Sequence, residues 1–382
     1  MINYCLLTSA HDFANIFIEW SVTVHGPVHG TFRILDSRDP VVEKKNTIYD
    51  VAEQAGVSRQ TVSRVINNRD DVSPETRKRV KKIIADIGYH PNAIAQSLSR
   101  QKSYLLGVVI SGLKYIGPSR TLNGITRKAQ ELGYGLLLKE IESADDVQPI
   151  LHWYKSHQVD GIIWAVSEIG ENRNWLIDFL PEIDIPIIFL TMGNRENVNY
   201  VSVDNYLGAK LATEHLISIG KKKIGHISGP LEWWEARQRK QGWRDTLDAA
   251  GLDSSEEHCT AGNWSSASGE QAINQLFESF PEMDAVFVAN DQMALSVLRA
   301  ALYRGINIPE QLAVIGFDNI TESEYFYPSI STIFQDLQLS GAQAVQSISD
   351  MIRARLENEQ TVIQPTIIQP ILVVRESTVR NS

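Results

Sequence analysis

Cysteine is nearly absent from this chain of 382 residues: Cys5 and Cys259 are the two present. That excludes a disulfide framework and fits a reducing compartment. Long apolar runs are also missing. No stretch reaches the roughly eighteen uninterrupted residues of a membrane-spanning helix. The N-terminus has no basic n-region, and His11, Asp12 and Glu19 break its apolar run, so it does not read as a signal peptide. There is no CxxC or HxxEH spacing to hold a metal. There is no GxxxxGK[ST] loop to cradle phosphates and no GxSxG nucleophile elbow. These absences remove metalloenzymes, phosphate-loop NTPases and α/β-hydrolases, and no cofactor is expected.

Positive charge is scarce overall, at a net −10. Taken alone, that argues against a nucleic-acid partner. The distribution reverses the argument. Between Thr47 and Ser103 there are ten Lys and Arg against six Asp and Glu. A basic head on an acidic body suits a DNA binder whose body has another task.

The head contains TIYDVAEQAGVSRQTVSRVIN, from Thr47 to Asn67. Val51, Ala52 and Ala55 share one helical face. Gly56 supplies a left-handed residue to end that helix, and Ser58 is a good N-cap for the next. Val62, Val65 and Ile66 would pack the second helix inward, leaving Arg59, Gln60, Ser63, Arg64 and Asn67 outward. A solvated helix has no need of that donor set. A helix in a DNA major groove does, because Arg reads guanine O6/N7 and Gln reads adenine N6/N7 through paired hydrogen bonds. A third helix follows, with Ser73 as cap, Pro74 at its first position and Gly88 as its stop. For its basic run, Arg77 to Lys82, a solvated face and phosphate contacts are about equally good readings.

This stretch closely resembles the DNA-reading head of the LacI/GalR repressor family, and the resemblance continues from about Thr47 to the C-terminus. It implies an all-α helix-turn-helix head (46–90), a hinge helix or linker (91–103) and an effector-binding, dimerising core (104–382). The head residues it assigns to DNA are Thr47, Ser58, Arg59, Gln60, Thr61, Ser63, Arg64 and Asn67, joined by Asn92 and Leu98 of the hinge. Leu98 matches the family's wedge leucine, which enters a base step from the minor groove and kinks the duplex. Arg59 stands where the lactose branch has a tyrosine, so the half-site is expected to differ there, towards an extra G. Residues 1–45 fall outside the resemblance and lack sustained periodicity. They are either a real arm or upstream sequence translated from a mis-assigned start, with Val41 or Val42 as a GUG start; the second reading is preferred.

From Tyr104 the pattern alternates strands (105–111, 134–141, 160–166, 185–191, 223–229, 284–290 and 312–318) with helices, one of them about Arg120–Leu132. That rhythm implies parallel sheets covered by helices, and about 280 residues are too many for one such core. The resemblance implies an α/β periplasmic-binding-protein-like core of two lobes, with the N-lobe about 104–204 and 336–363 and the C-lobe about 205–334 and 364–382. Crossovers are placed near Val203–Asn205, Phe334–Leu337 and Val362–Pro365.

Polar residues gather at the strand ends. Ser111 ends the first strand, and Tyr115, Gly117 and Pro118 follow in a loop. Asn290 and Asp318 end later strands, Arg237 and Arg239 open a helix, and Trp264 lies in GNWSSASG. A sugar asks for a bidentate acceptor, a fork of donors and an aromatic face, and this set has all three. The resemblance implies inducer contacts at Ser111, Arg239, Trp264, Asn290 and Asp318, and Tyr115, which replaces an aliphatic residue of the lactose branch, Pro118 and Gln335 are expected in the same site. Thr191 and Leu337 depart from the lactose branch, which has Asp and Phe there.

The expected protein is therefore a cytoplasmic, nucleoid-associated homodimer that represses sugar-utilisation genes and releases a pseudo-palindromic operator on binding a galactoside- or glucoside-like inducer. No membrane partner and no enzymatic activity are expected. The chain ends soon after VVREST without leucine heptads, so the family's tetramerising helix is not expected. A transport-type sugar-binding protein would need a secretion signal and would have no use for Arg59, Gln60 and Arg64. A sugar-modifying enzyme would need a phosphate loop or catalytic pair. Leu98→Ala should reduce operator bending and operator affinity together. Mobility of circularly permuted DNA fragments measures the bend, and a parental bend in the mutant would remove Leu98 as the wedge.

Overall fold

The computed structural model describes residues 19–23, 27–31, 46–67, 69–89, 102–143, 146–359 and 365–379. The chain divides into two compact units, Met1–Asn92 and Ala93–Ser382.

In the first unit, β1 (Glu19–Thr23) and β2 (Pro27–Thr31) pair antiparallel, with Glu19 opposite Thr31 and Thr23 opposite Pro27. The segment before Asn46 thus contains a pairing that sequence reasoning missed: Glu19–Thr23 alternates polar and apolar residues, but Pro27–Thr31, with Pro and Gly, does not. Three helices follow: α1 (Ile48–Ala55), α2 (Arg59–Ile66) and α3 (Pro74–Asp86). Asp50 accepts from the Thr47 N–H at 2.6 Å, satisfying a donor at the start of α1. Gly56 ends α1 at φ 60°, where a Cβ would be strained. Ser58 and Ser73 cap α2 and α3 by accepting from Thr61 and Thr76 N–H. The helices close on Val51, Ala52, Ala55, Val62, Val65, Val72 and Val80. The hinge, with Asn92 and Leu98, lies outside the described residues.

In the second unit two parallel sheets stand side by side in the chain's path. The first has the order β13-β7-β6-β5-β3-β4. Its strands are β3 (Leu105–Ile110), β4 (Gly135–Glu140), β5 (Gly161–Ala165), β6 (Ile187–Leu190), β7 (Tyr200–Val203) and β13 (Thr366–Ile368). The Asp160 carboxylate anchors the entry to this lobe by accepting from Ser103 and Tyr104 N–H at 2.7 and 2.8 Å. The second sheet runs β11-β10-β8-β9, from β8 (Ile224–Ser228), β9 (Cys259–Ala261), β10 (Ala285–Val288) and β11 (Ala313–Ile315). Beside it, β12 (Thr332–Phe334) pairs antiparallel with β14 (Ile371–Val373). Strands buried on both faces, such as Leu106–Ile110 and Ala285–Val288, are near-continuous Val, Ile, Leu and Phe, as helix-covered parallel sheets require.

The chain crosses between lobes three times. It leaves β7 for α7 (Asn205–Ser218) and returns from β12 into α11 (Leu337–Leu356). The third crossing is later than the sequence suggests. Thr366–Ile368 pairs in parallel with Val201–Val203 and so belongs to the first lobe, and the crossing falls at Gln369–Pro370 rather than near 362–365. The helix expected from Arg120 starts earlier too. α4 spans Ile116–Glu131, with Pro118 in its first turn, where a missing N–H leaves no intrahelical acceptor unpaired.

α4 and α11 pack through glycines. A Cβ on Gly124 would stand 2.0 Å from the Gln338 carbonyl oxygen, and one on Gly341 2.2 Å from that of Thr121. Backbone, not a flexible side chain, occupies both spaces, so the helices themselves must part. Gly124→Ala should therefore destabilise the core by about 1–3 kcal/mol, despite Ala's better helix propensity. Urea unfolding followed by circular dichroism measures it, and an unchanged or higher midpoint would contradict this account of the packing.

Candidate functional site

Two surfaces carry chemistry. The first is the outer face of α2. Val62 and Val65 are buried, which turns Arg59, Gln60 and Arg64 to solvent and leaves Thr61, Ser63 and Asn67 half-buried. The Arg59 guanidinium lies over the Tyr49 ring at 4.4 Å and donates to the Tyr49 hydroxyl at 2.6 Å. Arg64 pairs with Asp71 at 3.4 Å, an exposed contact of small energetic weight. Ser58 and Thr61 hydroxyls share a 2.9 Å hydrogen bond, and Asn67 donates to Ser63 at 3.3 Å. Thr47 is exposed at the start of α1. The expected head residues thus lie on the outer face of α2 and at the start of α1, with Arg59 resting on Tyr49 and Arg64 beside Asp71.

The second is a cleft between the lobes. Tyr115, Pro118, Arg239, Trp264, Asn290, Asp318 and Gln335 all line it. Ser111 does not: Gly112 takes φ 66° and its carbonyl accepts from the Tyr115 N–H, so the chain turns away and reaches the cleft only at Tyr115. Arg237 lies outside as well. It donates to the carbonyls of Leu231 and Glu232, and among the described residues no ion pair of Arg237 bridges the lobes.

Arg239 organises the cleft from α8 (Trp234–Ala249). It is 5% exposed, donates Nε to Asn205 Oδ1 at 2.8 Å and hydrogen-bonds the Ala289 carbonyl. Its guanidinium lies 3.7 Å from the Phe317 ring centroid and 3.8 Å from Asp318 Oδ1. Burial lowers its pKa, and Asp318 and Glu235 oppose that shift. Asp318 accepts from Gln335 Nε2 at 2.5 Å. Burial pushes its carboxyl up, while Arg239 and Gln335 draw it down. Asp318 sits at φ 105°, held by its N–H to the Ile333 carbonyl at 2.8 Å. Asn290 caps α10 (Asp291–Tyr303) and donates Nδ2 to the Trp264 carbonyl at 2.9 Å. Asp291 beside it accepts from Ile320 N–H and from the Ser323 and Thr332 hydroxyls. Burial first, then Asp318, pushes its carboxyl up to about 7. An aromatic wall runs from Tyr115 through Trp233 to Trp264, each neighbouring pair edge-to-face at 5.7 and 5.9 Å.

Sequence reasoning missed Asn205, Ser167, Thr121 and Glu235, which also line the cleft. Their positions read as routine: Asn205 starts a helix behind a capping Asp, and Glu235 is an acid in a helix's first turn. The lobes are fastened at this edge. Gly170 N–H donates to the Glu232 carbonyl at 2.8 Å, Trp234 N–H to that of Glu168 at 2.9 Å, and Arg120 to those of Asp318 and Asn319. His226 and His215 are structural: the first is fully buried against the Phe287 carbonyl, with its pKa lowered by burial to about 3, and the second meets the Thr378 hydroxyl.

A helix-turn-helix head followed by a two-lobe core with a polar, aromatic-walled cleft defines a ligand-responsive DNA-binding regulator. Residues 47–92 match the family model for bacterial regulatory proteins of the lacI family, and residues 213–378 that for a periplasmic binding protein-like domain. The chain is 32% identical to the lactose operon repressor of Escherichia coli K12 over 88% of its own length and 91% of the relative's. It is 31% identical to the transcriptional regulator CelR of Thermobifida fusca over 87% and 98%. The solved lac repressor dimer bound to operator and the anti-inducer ONPF superposes with a TM-score of 0.78, at 31% identity over 88% of this chain and 100% of that one. The CelR–cellobiose complex gives 0.64, at 31% identity over 87% and 99%. The chain belongs to the LacI family, and it is a DNA-binding transcriptional regulator, not an enzyme.

If Arg59 reads a base edge, Arg59→Ala should lose about 1–3 kcal/mol of discrimination at one operator position and leave the others unchanged. Selection of sites from random DNA with both proteins measures it. An unchanged preference would assign Arg59 to Tyr49 alone.

Proposed function

We propose that this regulator represses sugar-utilisation genes and leaves its operator when a small sugar, galactoside- or glucoside-like, enters the inter-lobe cleft. The observation that carries the reading is the convergence of Arg239, Asp318, Asn290 and Trp264 in one cleft: donor fork, bidentate acceptor, amide and aromatic cover. The sugar named with the CelR complex adds support. The protein acts as a homodimer on a near-palindromic site, because two-fold symmetry demands matched half-sites. It works in the cytoplasm, on the nucleoid. The base-reading residues are those on α2, with Asn92 and Leu98 contributing from the hinge. Inducer favours a lobe arrangement that separates the hinges, and linkage makes the coupling reciprocal, typically ~1–3 kcal/mol.

Asp318→Asn tests the reading. Asn keeps the shape and tolerates the left-handed backbone, but removes the charge and turns one acceptor into a donor. Each charge-assisted hydrogen bond contributes ~1.5–3 kcal/mol, so inducer affinity should fall at least about tenfold while operator binding persists. Paired titrations with sugar and with operator DNA measure both. Retained sugar affinity would remove Asp318 from the site, and loss of both activities would make it a residue of the fold.

A further inference from the structure

The inference rests on the saccharide reading above and concerns which saccharides the cleft accepts. Among the described residues that line it, the charged side chains are Arg239, Asp318 and Glu235. Arg239 is committed to Asn205, the Ala289 carbonyl and Asp318, and Asp318 is held by Gln335. Glu235 is different. It is 8% exposed, and its Oε2 is buried without a hydrogen-bond partner. It sits in the first turn of α8, one turn before Arg239, and shares the cleft wall with Ser167 of the other lobe. The residues just before it are fastened across the lobes by Gly170 N–H to the Glu232 carbonyl and Trp234 N–H to the Glu168 carbonyl, which fixes the backbone that carries it.

The other nearby cations are held by protein acceptors, Arg120 by the Asp318 and Asn319 carbonyls. Arg173 is fully buried and donates to the Val166 and Leu190 carbonyls, and Arg195 pairs with Glu168 at 2.8 Å. Neither lines the cleft. A buried acceptor without a donor carries its whole desolvation cost, and a hydroxyl delivered by a ligand removes that cost. An anionic group brought to the same place meets like charge in a low dielectric.

We propose that Glu235 is both a second hydroxyl acceptor and a charge filter: it binds an uncharged saccharide from the Trp233 side of the cleft and turns away phosphorylated or carboxylated sugars. Burial raises the Glu235 pKa, and its own backbone N–H, Ser167, Arg239 and Arg173 oppose the shift.

The test is calorimetric titration of the full-length protein with cellobiose, lactose, glucose, galactose, glucose 6-phosphate and galactose 6-phosphate. Parent, Glu235→Gln and Glu235→Asp are compared, with thermal melting as the check on folding. An uncharged sugar should bind the parent, and each phosphosugar should bind more weakly than its own hexose. Glu235→Gln should weaken the uncharged sugar about tenfold and narrow the gap to the phosphosugar. Glu235→Asp, which keeps the charge and shortens the reach, should weaken the uncharged sugar but still exclude the phosphosugar. A phosphosugar that binds the parent as tightly as its hexose, or unchanged affinity in both variants, overturns the filter and leaves the saccharide reading standing. Failure of every sugar to bind overturns both.

Discussion

A guanidinium buried in a protein interior has to be neutralised and hydrogen-bonded, because an unpaired charge there costs several kcal/mol. Arg239 imposes that requirement on the core. Its partners come from separate parts of the chain: Asn205 from the first crossover, the Ala289 carbonyl from the end of β10, and Asp318 from the loop after β11. Gln335, on the second crossover, then holds Asp318. One cation thus binds two of the three crossovers to the strand ends that face the cleft. A ligand hydroxyl that donates to Asp318 would act on groups that also hold the lobes' connections. The same hydrogen-bonded groups thus line the cleft and hold the connections between the lobes.

The parts of this arrangement that show in the sequence are those with a short-range signal. The head was legible because each helix carries its own punctuation: Ser58 and Ser73 as caps, Gly56 and Gly88 as stops, and apolar residues at helical spacing. Asp318 and Asn290 were legible because strand ends in parallel sheets are where ligands meet the fold, and Arg239, on a helix, through the family resemblance. Three-residue strands were not. β12, β13 and β14 are too short to show any period, and the lobe assignment of Thr366–Ile368 depends on pairing with a strand more than 160 residues earlier. Glu235 stayed hidden for another reason. An acid in a helix's first turn is what the helix dipole favours anywhere, and only burial against the opposite lobe separates it from that ordinary role.

Head and core solve different physical problems. The seven buried residues of the head core are small, mostly Val and Ala, and they hold three short helices together with capping at each start. The reading face owes its shape to two of them, Val62 and Val65, which set the rotation of α2 and so the direction of Arg59 and Gln60. The core instead buries large side chains such as Trp164, Trp243, Phe287 and Phe317, and brings helix backbones together through Gly124 and Gly341. A pocket floor built this way resists small displacements, because dense packing leaves no room to absorb them.

Backbone strain shows where that rigidity is used. Thr191, Trp264 and Asp318 all line the cleft, and all have positive φ without being glycine, at 54°, 73° and 105°. Each such conformation costs of order 1–3 kcal/mol and persists only where its surroundings over-determine it. Here they do. Thr191 is tied by its N–H to Val201 and by its carbonyl to the Glu168 N–H; the Trp264 carbonyl accepts from Asn290; Asp318 is fixed through Ile333. Three strained residues around one space, each locked by hydrogen bonds from a different element, mean that polar groups and aromatic cover are set before a ligand arrives. Preorganisation of that kind spares the ligand the ordering cost of loops and side chains. Ligand binding energy is then left to choose between lobe arrangements, which is what a switch requires of it.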